Sequence, residues 1–212
     1  MSAFDLDHTL LNSNSSFRFG FYLHKQGFIK FHHLIKCLFF YVRHKWFNLS
    51  IEDLHYKSFS ALFKGKSTEL VNLHVEAFLN DQLEKMTNHS IVLHLTNAKK
   101  QGYHCAILSG APDFLVKPIA RKWGIQLWYA TTYQSDHQGN FSKITKVMEG
   151  KTKAKTLLDL AHLLQVNPPE ITVYSDCSLD LPILCAAGKA IGVYPDRKLR
   201  KLCSANNWEI LE

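Results

Sequence analysis

Little in this sequence could staple the chain or anchor it. The five cysteines, Cys37, Cys105, Cys177, Cys185 and Cys203, are odd in number, scattered, and include no Cys-x-x-Cys pair. That argues against a disulfide framework and against a structural zinc site, and it fits a reducing compartment. None of the 12 histidines stands in an HxxxH pair of the kind that ligates zinc. Apolar runs are short as well. Cys37–Val42 is the nearest approach to a membrane span, and it is bounded by Lys36 and Arg43, far from the roughly 18 apolar residues that a span needs. The start, Met1-Ser-Ala-Phe-Asp5, has no basic region leading into an apolar stretch, so no signal peptide is expected and a cytoplasmic location is. Repeats, low-complexity tracts and Pro/Ser/Gly linkers are also missing.

What remains is a globular composition. The 212 residues are 46 % apolar and 20 % charged, which suits one domain, or a core domain with a small insertion. The net charge of +7 is local. Nine Lys/Arg against two acids, Glu52 and Asp53, lie between Arg18 and Lys66, and they account for the whole excess. A basic segment on a neutral body argues against nucleic acid as the partner and for a surface that meets something anionic. Within it, residues 17–50 hold 11 aromatic residues, six Lys/Arg and no acid. Two readings stand: an aromatic helical core with solvated lysines, or an interfacial surface with rings in lipid and cations on headgroups.

Periodicity divides the chain. Residues 15–85 repeat apolar positions at helical spacing, after which short apolar strands alternate with helices. Strands are expected at the very start, at Tyr103–Leu108, Trp128–Tyr133, Ile171–Tyr174 and, as the last, Ala190–Tyr194. Helices are expected at Ile91–Lys100, Pro112–Trp123, Lys153–Leu164 and Leu179–Ala187, with a turn at His137–Asn140. Such alternation gives an α/β fold, a three-layer doubly wound parallel sheet whose ligands bind beyond the carboxyl ends of the strands. Those ends carry the chemistry: Asp5 and Asp7, then Ser109 and Gly110, then Asp176 with Asp180 close behind. Lys153 opens the helix before the strand that ends at Asp176.

Phe4-Asp-Leu-Asp-His-Thr-Leu10 resembles the first motif of the haloacid dehalogenase superfamily, Leu108-Ser-Gly110 the second, Lys153 the third and Tyr174-Ser-Asp-Cys-Ser-Leu-Asp-Leu-Pro182 the fourth. All four occur in order over essentially the whole chain, most like the phosphoserine-phosphatase branch. The resemblance implies a catalytic core of residues 1–14 and 86–212 with a helical cap at 15–85. It implies Asp5 as nucleophile, Asp7 as general acid and base, and Ser109, the Gly110 amide and Lys153 on phosphate. It further implies Mg²⁺ on Asp5, Asp176 and the Asp7 backbone carbonyl, with Asp180 behind them orienting metal-bound water. The activity implied is a Mg²⁺-dependent phosphatase for a small phosphorylated substrate, working through an aspartyl-phosphate. Asp7 favours phosphatase over dehalogenase, since only the former has a leaving oxyanion to protonate.

Lys151 competes with Lys153 for the third motif, but Lys153 has the family register. His8 stands where the family has Gly, a substitution that costs something if the turn requires positive φ. Asn14 stands where phosphoserine phosphatases carry a Glu for the substrate amine, which disfavours phosphoserine. Asn14, Phe17 and Arg18 are the candidate cap contacts. A lipid phosphate acted on at a membrane surface, and an idle anion-binding module on the same fold, are the alternatives.

Overall fold

A three-residue strand, β1 (Ser2–Phe4), is all that precedes Asp5, and it is held from both sides. In the computed structural model, which describes residues 1–212, four helices follow it: α1 (Ser15–Lys25), α2 (Phe31–Trp46), α3 (Ile51–Leu62) and α4 (Thr68–Met86). The chain then runs α5 (His89–Lys100), β2 (Cys105–Pro112), α6 (Asp113–Lys122), β3 (Leu127–Ser135), β4 (Phe141–Lys146), α7 (Gly150–Leu163), β5 (Thr172–Ser175), α8 (Leu181–Cys185), β6 (Lys189–Val193), α9 (Arg197–Asn206) and β7 (Glu209–Leu211). The sheet order is β4-β3-β2-β1-β5-β6-β7, parallel except for β4. β1 therefore sits at the centre, between β2 and β5.

Side-chain alternation sets the layers. On one face Phe4, Ile107, Tyr174 and Ile191 pack with Ile91 and Leu95 of α5 and Leu115 and Ile119 of α6. On the other, Ala3, Ala106, Leu108, Val173 and Ala190 pack with Leu157 and Leu160 of α7, Ile183 of α8 and Leu199 of α9. Strands buried on both faces read as nearly unbroken apolar runs, as β2 does at Cys105–Leu108. The doubly wound parallel sheet read from the sequence is the sheet observed.

The four inserted helices divide unevenly. α1 and α4 belong to the main core: Phe19 lies 5.3 Å from Phe78 and 6.1 Å from Phe114, centroid to centroid. α3 adds Phe59 and Leu62 to the same core, whereas α2 stands further out and buries Leu34 alone. Side chains cap three of the helices, with Asn14, Ser50 and Ser67 each accepting from a backbone amide three residues on.

Several boundaries differ from expectation, each for a local reason. The strand at Ala190 is not the last, because α9 and β7 follow. α9 is strongly basic and buries only Leu199 and Cys203, and β7 is short and part-exposed, so neither leaves an apolar pattern. The helix expected at Leu179–Ala187 is split into a 3₁₀ turn, Ser178–Asp180, and the short α8, with Pro182 in its first turn. β2 runs on past Leu108 to Pro112, although its pairing with β3 slips between those two residues.

Lys153 does not open its helix; α7 starts three residues earlier, at Gly150. A Cβ on Gly150 would lie 2.2 Å from the Leu179 carbonyl oxygen. Only glycine lets α7 approach the loop after β5 this closely. Gly150→Ala should cost roughly 1–3 kcal/mol by overpacking, lowering the thermal midpoint at about 2–4 °C per kcal/mol. Lys155→Ala on the exposed side of α7 should leave the midpoint unchanged in the same melts, and equal midpoints for the two variants would refute the close-approach account.

Candidate active site

The carboxyl ends of β2, β1 and β5 lie side by side, and each delivers polar groups to one edge of the sheet. Asp5 leaves β1 with its amide still donating to the Tyr174 carbonyl at 3.0 Å. Phe4 and Tyr174 stack beneath it, centroids 4.4 Å apart. The chain then winds one wide turn, closed by the Leu11 amide on the Leu6 carbonyl at 2.8 Å. That turn buries Leu6, Thr9 and Leu10 and leaves Asp5 and Asp7 at its mouth. His8 adopts φ 59°, so the turn does require the left-handed conformation, at a cost of about 1–2 kcal/mol for a residue with a Cβ.

Lys153 is the centre of the site. Its Nζ donates to Oδ1 of Asp5 at 2.6 Å and to Oδ2 of Asp180 at 2.8 Å. Lys151 is exposed on the same helix, and the amine that reaches Asp5 is that of Lys153. The three side chains are only 6–11 % exposed, so this is a buried ion cluster, in which an unpaired member is costly. Ser175 Oγ donates a further bond to Oδ2 of Asp180 at 2.8 Å. Burial pulls the Lys153 amine down, but Asp180 and Asp5 outweigh it and hold the amine charged, above the ordinary lysine value.

The carboxyls respond in the opposite sense. Burial pushes Asp5 well above the usual range; Lys153 draws it back, while Asp180 and Asp176 raise it again. Burial also raises Asp7, against the Ser15 amide, which donates to its Oδ1 at 2.8 Å from the first turn of α1. Asp176 is pushed up to about 7, chiefly by burial and also by Asp180. Its one side-chain partner is Thr9 Oγ1, at 3.5 Å. Asp5 and Asp180 thus share a single lysine and Asp176 pairs with none, so with all three ionised the surplus is negative. Hard oxygen donors around uncompensated negative charge suit Mg²⁺. No three His, Cys, Asp or Glu side chains converge on one point.

Ser109 is buried within β2, where the pairing with β3 slips, its Oγ accepting from the Ala111 amide at 3.1 Å, which leaves the hydroxyl hydrogen to donate elsewhere. The Gly110 carbonyl accepts from Thr131 Oγ1 at 2.7 Å, and Thr131 in turn accepts from the Met148 amide at 3.2 Å. Asp196 braces the other side, accepting from the Ser178 amide at 2.9 Å while its amide donates to the Asp176 carbonyl at 2.8 Å. Sequence reasoning missed Thr131 and Asp196 as supports, since a strand threonine and a helix-capping aspartate give no distinguishing signal.

The three candidate cap contacts lie differently. Asn14 accepts from the Phe17 amide as the cap of α1. Arg18 donates to Gln82 at 3.0 Å, and Phe17 is exposed, edge-on to Phe21. None of them hydrogen-bonds Asp5, Asp7 or Asp176 through its side chain. The inserted side chain that does reach the site is His55 of α3, whose Nε2 lies 3.9 Å from where a Cβ on Gly110 would stand. Burial pushes His55 down to about 4, so its imidazole is neutral at pH 7. Nothing in its sequence context marked it.

Residues 3–184 match the profile of the haloacid dehalogenase-like hydrolases. A phosphoserine phosphatase of Mycobacterium tuberculosis is 28 % identical over 218 residues, covering 98 % of this chain and 68 % of that protein. A histidinol-phosphatase of Neisseria meningitidis is 23 % identical, covering 100 % and 97 %. Among solved structures, a Bordetella pertussis protein of unknown function superposes with a TM-score of 0.90 at 22 % identity, covering 100 % of this chain and 97 % of that one. A substrate-bound phosphoserine phosphatase gives 0.73 at 18 %, covering 100 % and 91 %. At such identities the structures speak for the fold, while the profile, spanning most of the chain, and the phosphatases among its relatives speak for family and reaction class. The chain belongs to the haloacid dehalogenase-like hydrolases, is similar to phosphoserine phosphatases among them, and is a phosphoric monoester hydrolase.

Proposed function

We propose that this phosphatase passes the phosphoryl group of a small phosphomonoester first to Asp5 and then to water. The observation that carries this reading is the buried Lys153 amine, 2.6 Å from Asp5. It fixes one carboxylate oxygen and leaves the other, which accepts no hydrogen bond, to attack phosphorus. As the Asp5–phosphorus bond forms, the bond to the ester oxygen breaks, and Asp7 gives that oxygen its proton. Burial raises Asp7, which favours the protonated acid this step needs. Asp7, now ionised, takes a proton from water, and the resulting hydroxide releases inorganic phosphate and restores Asp5.

Ser109 and the Gly110 amide would donate to phosphate oxygens, with Lys153 sharing its charge between Asp5 and the phosphoryl group. The carboxylates of Asp5 and Asp176 and the Asp7 carbonyl would hold Mg²⁺, which neutralises phosphate charge and keeps the group in line. Asp180 would act from behind by holding Lys153 and ordering water on the ion. Residues 15–85 would form the cap, with α3 and His55 over the phosphate-binding end. The substrate would be met in the cytoplasm.

Phosphoserine is a poor candidate. Its ammonium needs a carboxylate partner, and Asn14 is neutral and committed to capping α1. Phosphoserine turnover should therefore fall at least about tenfold in kcat/KM below amine-free phosphomonoesters, the equivalent of about 1.4 kcal/mol. Equal values across such a panel would remove this discrimination.

Asp5→Asn should abolish turnover. Because Asp7 also activates the water, Asp7→Asn should slow steady-state turnover of every substrate, and the diagnostic is the first-turnover release of the leaving group. That release should fall about 10²–10⁴-fold for alkyl phosphates but much less for p-nitrophenyl phosphate, whose leaving group needs no proton. An equal loss in that first step on both substrates would show that Asp7 is not the acid.

The raised carboxyls also set a stability profile. Asp176 has a folded value of about 7 against an unfolded one of about 3.9. Its protonated form is favoured in the folded state, so stability is greatest below the unfolded value and declines as pH rises towards 7. Melts without metal should show that decline, and Mg²⁺ should raise the midpoint more at pH 8 than at pH 5. Asp176→Asn should flatten the decline and lose the Mg²⁺ increment; a full increment in that variant would place the ion elsewhere.

A further inference from the structure

Helix α2 carries two apolar stripes, and the fold uses only one. Leu34 is buried, and Cys37, Phe40 and His44 are half-buried on the inner side. The other stripe comprises Phe31, Ile35, Leu38, Phe39, Val42 and Trp46, which are 39–74 % exposed. Their spacing, i, i+4, i+7, i+8, i+11 and i+15, confines them to an arc of about 100° along one side of the helix. Phe47 extends the stripe past the helix end and is 68 % exposed. An apolar patch of this extent is not incidental on a surface.

The charges around it have one sign. Lys36 and Arg43 flank one edge and Lys45 the other, while Lys36 lies 6.0 Å from the Phe40 ring and Arg43 6.0 Å from Phe39. The rings thus hold the cations beside the stripe. No acid occurs between residues 17 and 50; the first are Glu52 and Asp53 at the start of α3, and Asp53 accepts from Ser50.

We infer that this outer face of α2 is a docking surface for an anionic membrane, on which the helix lies in the plane of the interface. The stripe supplies rings and aliphatic side chains to the acyl boundary, and the flanking cations meet headgroup phosphates. No helix of the protein is long and apolar enough to cross a membrane, so docking is peripheral. A second copy of the chain fits less well. Two-fold pairing through the stripe would set Lys36 and Arg43 of one copy against like charges of the other, with no acid on α2 to offset them. The hairpin of α2 and α3 also brings His55 beside Gly110, so the docked element is the one that lies over the site. The inference stands independently of the reaction scheme above.

The test is sedimentation of the full chain with vesicles of phosphatidylcholine alone or of equal parts phosphatidylcholine and phosphatidylglycerol. Binding is expected to the mixed vesicles, with a blue shift of Trp46 emission that Trp46→Phe removes. Binding should weaken at high salt. Lys36→Glu/Arg43→Glu should weaken it at least about tenfold, and Leu38→Glu/Phe39→Glu should abolish it. Both double variants should retain p-nitrophenyl phosphate turnover, which shows that they are folded. No partition onto the mixed vesicles, or equal partition of wild type and Leu38→Glu/Phe39→Glu, overturns the inference. So does sedimentation equilibrium showing a dimer that this last variant dissolves while vesicle binding is missing, since the stripe would then be a self-association surface.

Discussion

The site is organised around one lysine amine held between two carboxylates in a setting with almost no water. Lys153 with Asp5 and Asp180 would be a poor way to gain stability, because a well-packed apolar trio often does as well. Once the charges are buried, however, each becomes indispensable to the other two, and their geometry is fixed accordingly. Much of the surrounding structure serves that fixing. Gly150 has no side chain, so α7 can come close enough for Lys153 to reach. Ser175 satisfies Asp180 from the neighbouring strand, and the Phe4–Tyr174 stack sets the height of β1 against β5. Asp5 shares its cation with Asp180 and Asp176 has none, which is why the site is both electrostatically strained and suited to a divalent ion and a phosphate.

The sheet and its polar edge were legible because they rest on short-range rules. Asp5 and Asp176 each follow a short apolar strand and Ser109 follows the apolar run of β2, and a parallel sheet brings such positions together whatever the intervening chain does. Lys153 was legible by register alone, and its reach to Asp5 depends on a glycine contact that no sequence pattern announces. The parts that stayed hidden depend on long-range packing. His55 reaches Gly110 only because α3 folds back over the sheet. Asn14 is a candidate cap contact by its place nine residues after Asp5, and that its side chain caps α1 is set by the local fold. α9 and β7 bury so little that periodicity has nothing to register. The aromatic segment could be read as core or as interface from composition, and the fold divides it: Phe19 goes inside, while Phe39 and Trp46 stay out.

That division has a mechanical consequence. Phe19 of α1 interlocks with Phe63 at the end of α3, Phe78 of α4 and Phe114 of α6, so three of the four inserted helices are anchored over the sheet through one aromatic cluster. Beyond α3 the chain is tied to β4, the Gly65 amide donating to the Phe141 carbonyl at 2.8 Å and the Phe141 amide to the Lys66 carbonyl at 2.9 Å. α3 is held down as well, with Phe59 buried and edge-on to Tyr133 of β3, centroids 5.0 Å apart. α2 buries Leu34 alone, so of the four inserted helices it is the one the fold holds most lightly, and the helix with the least core to lose is the one that shows its rings to the outside.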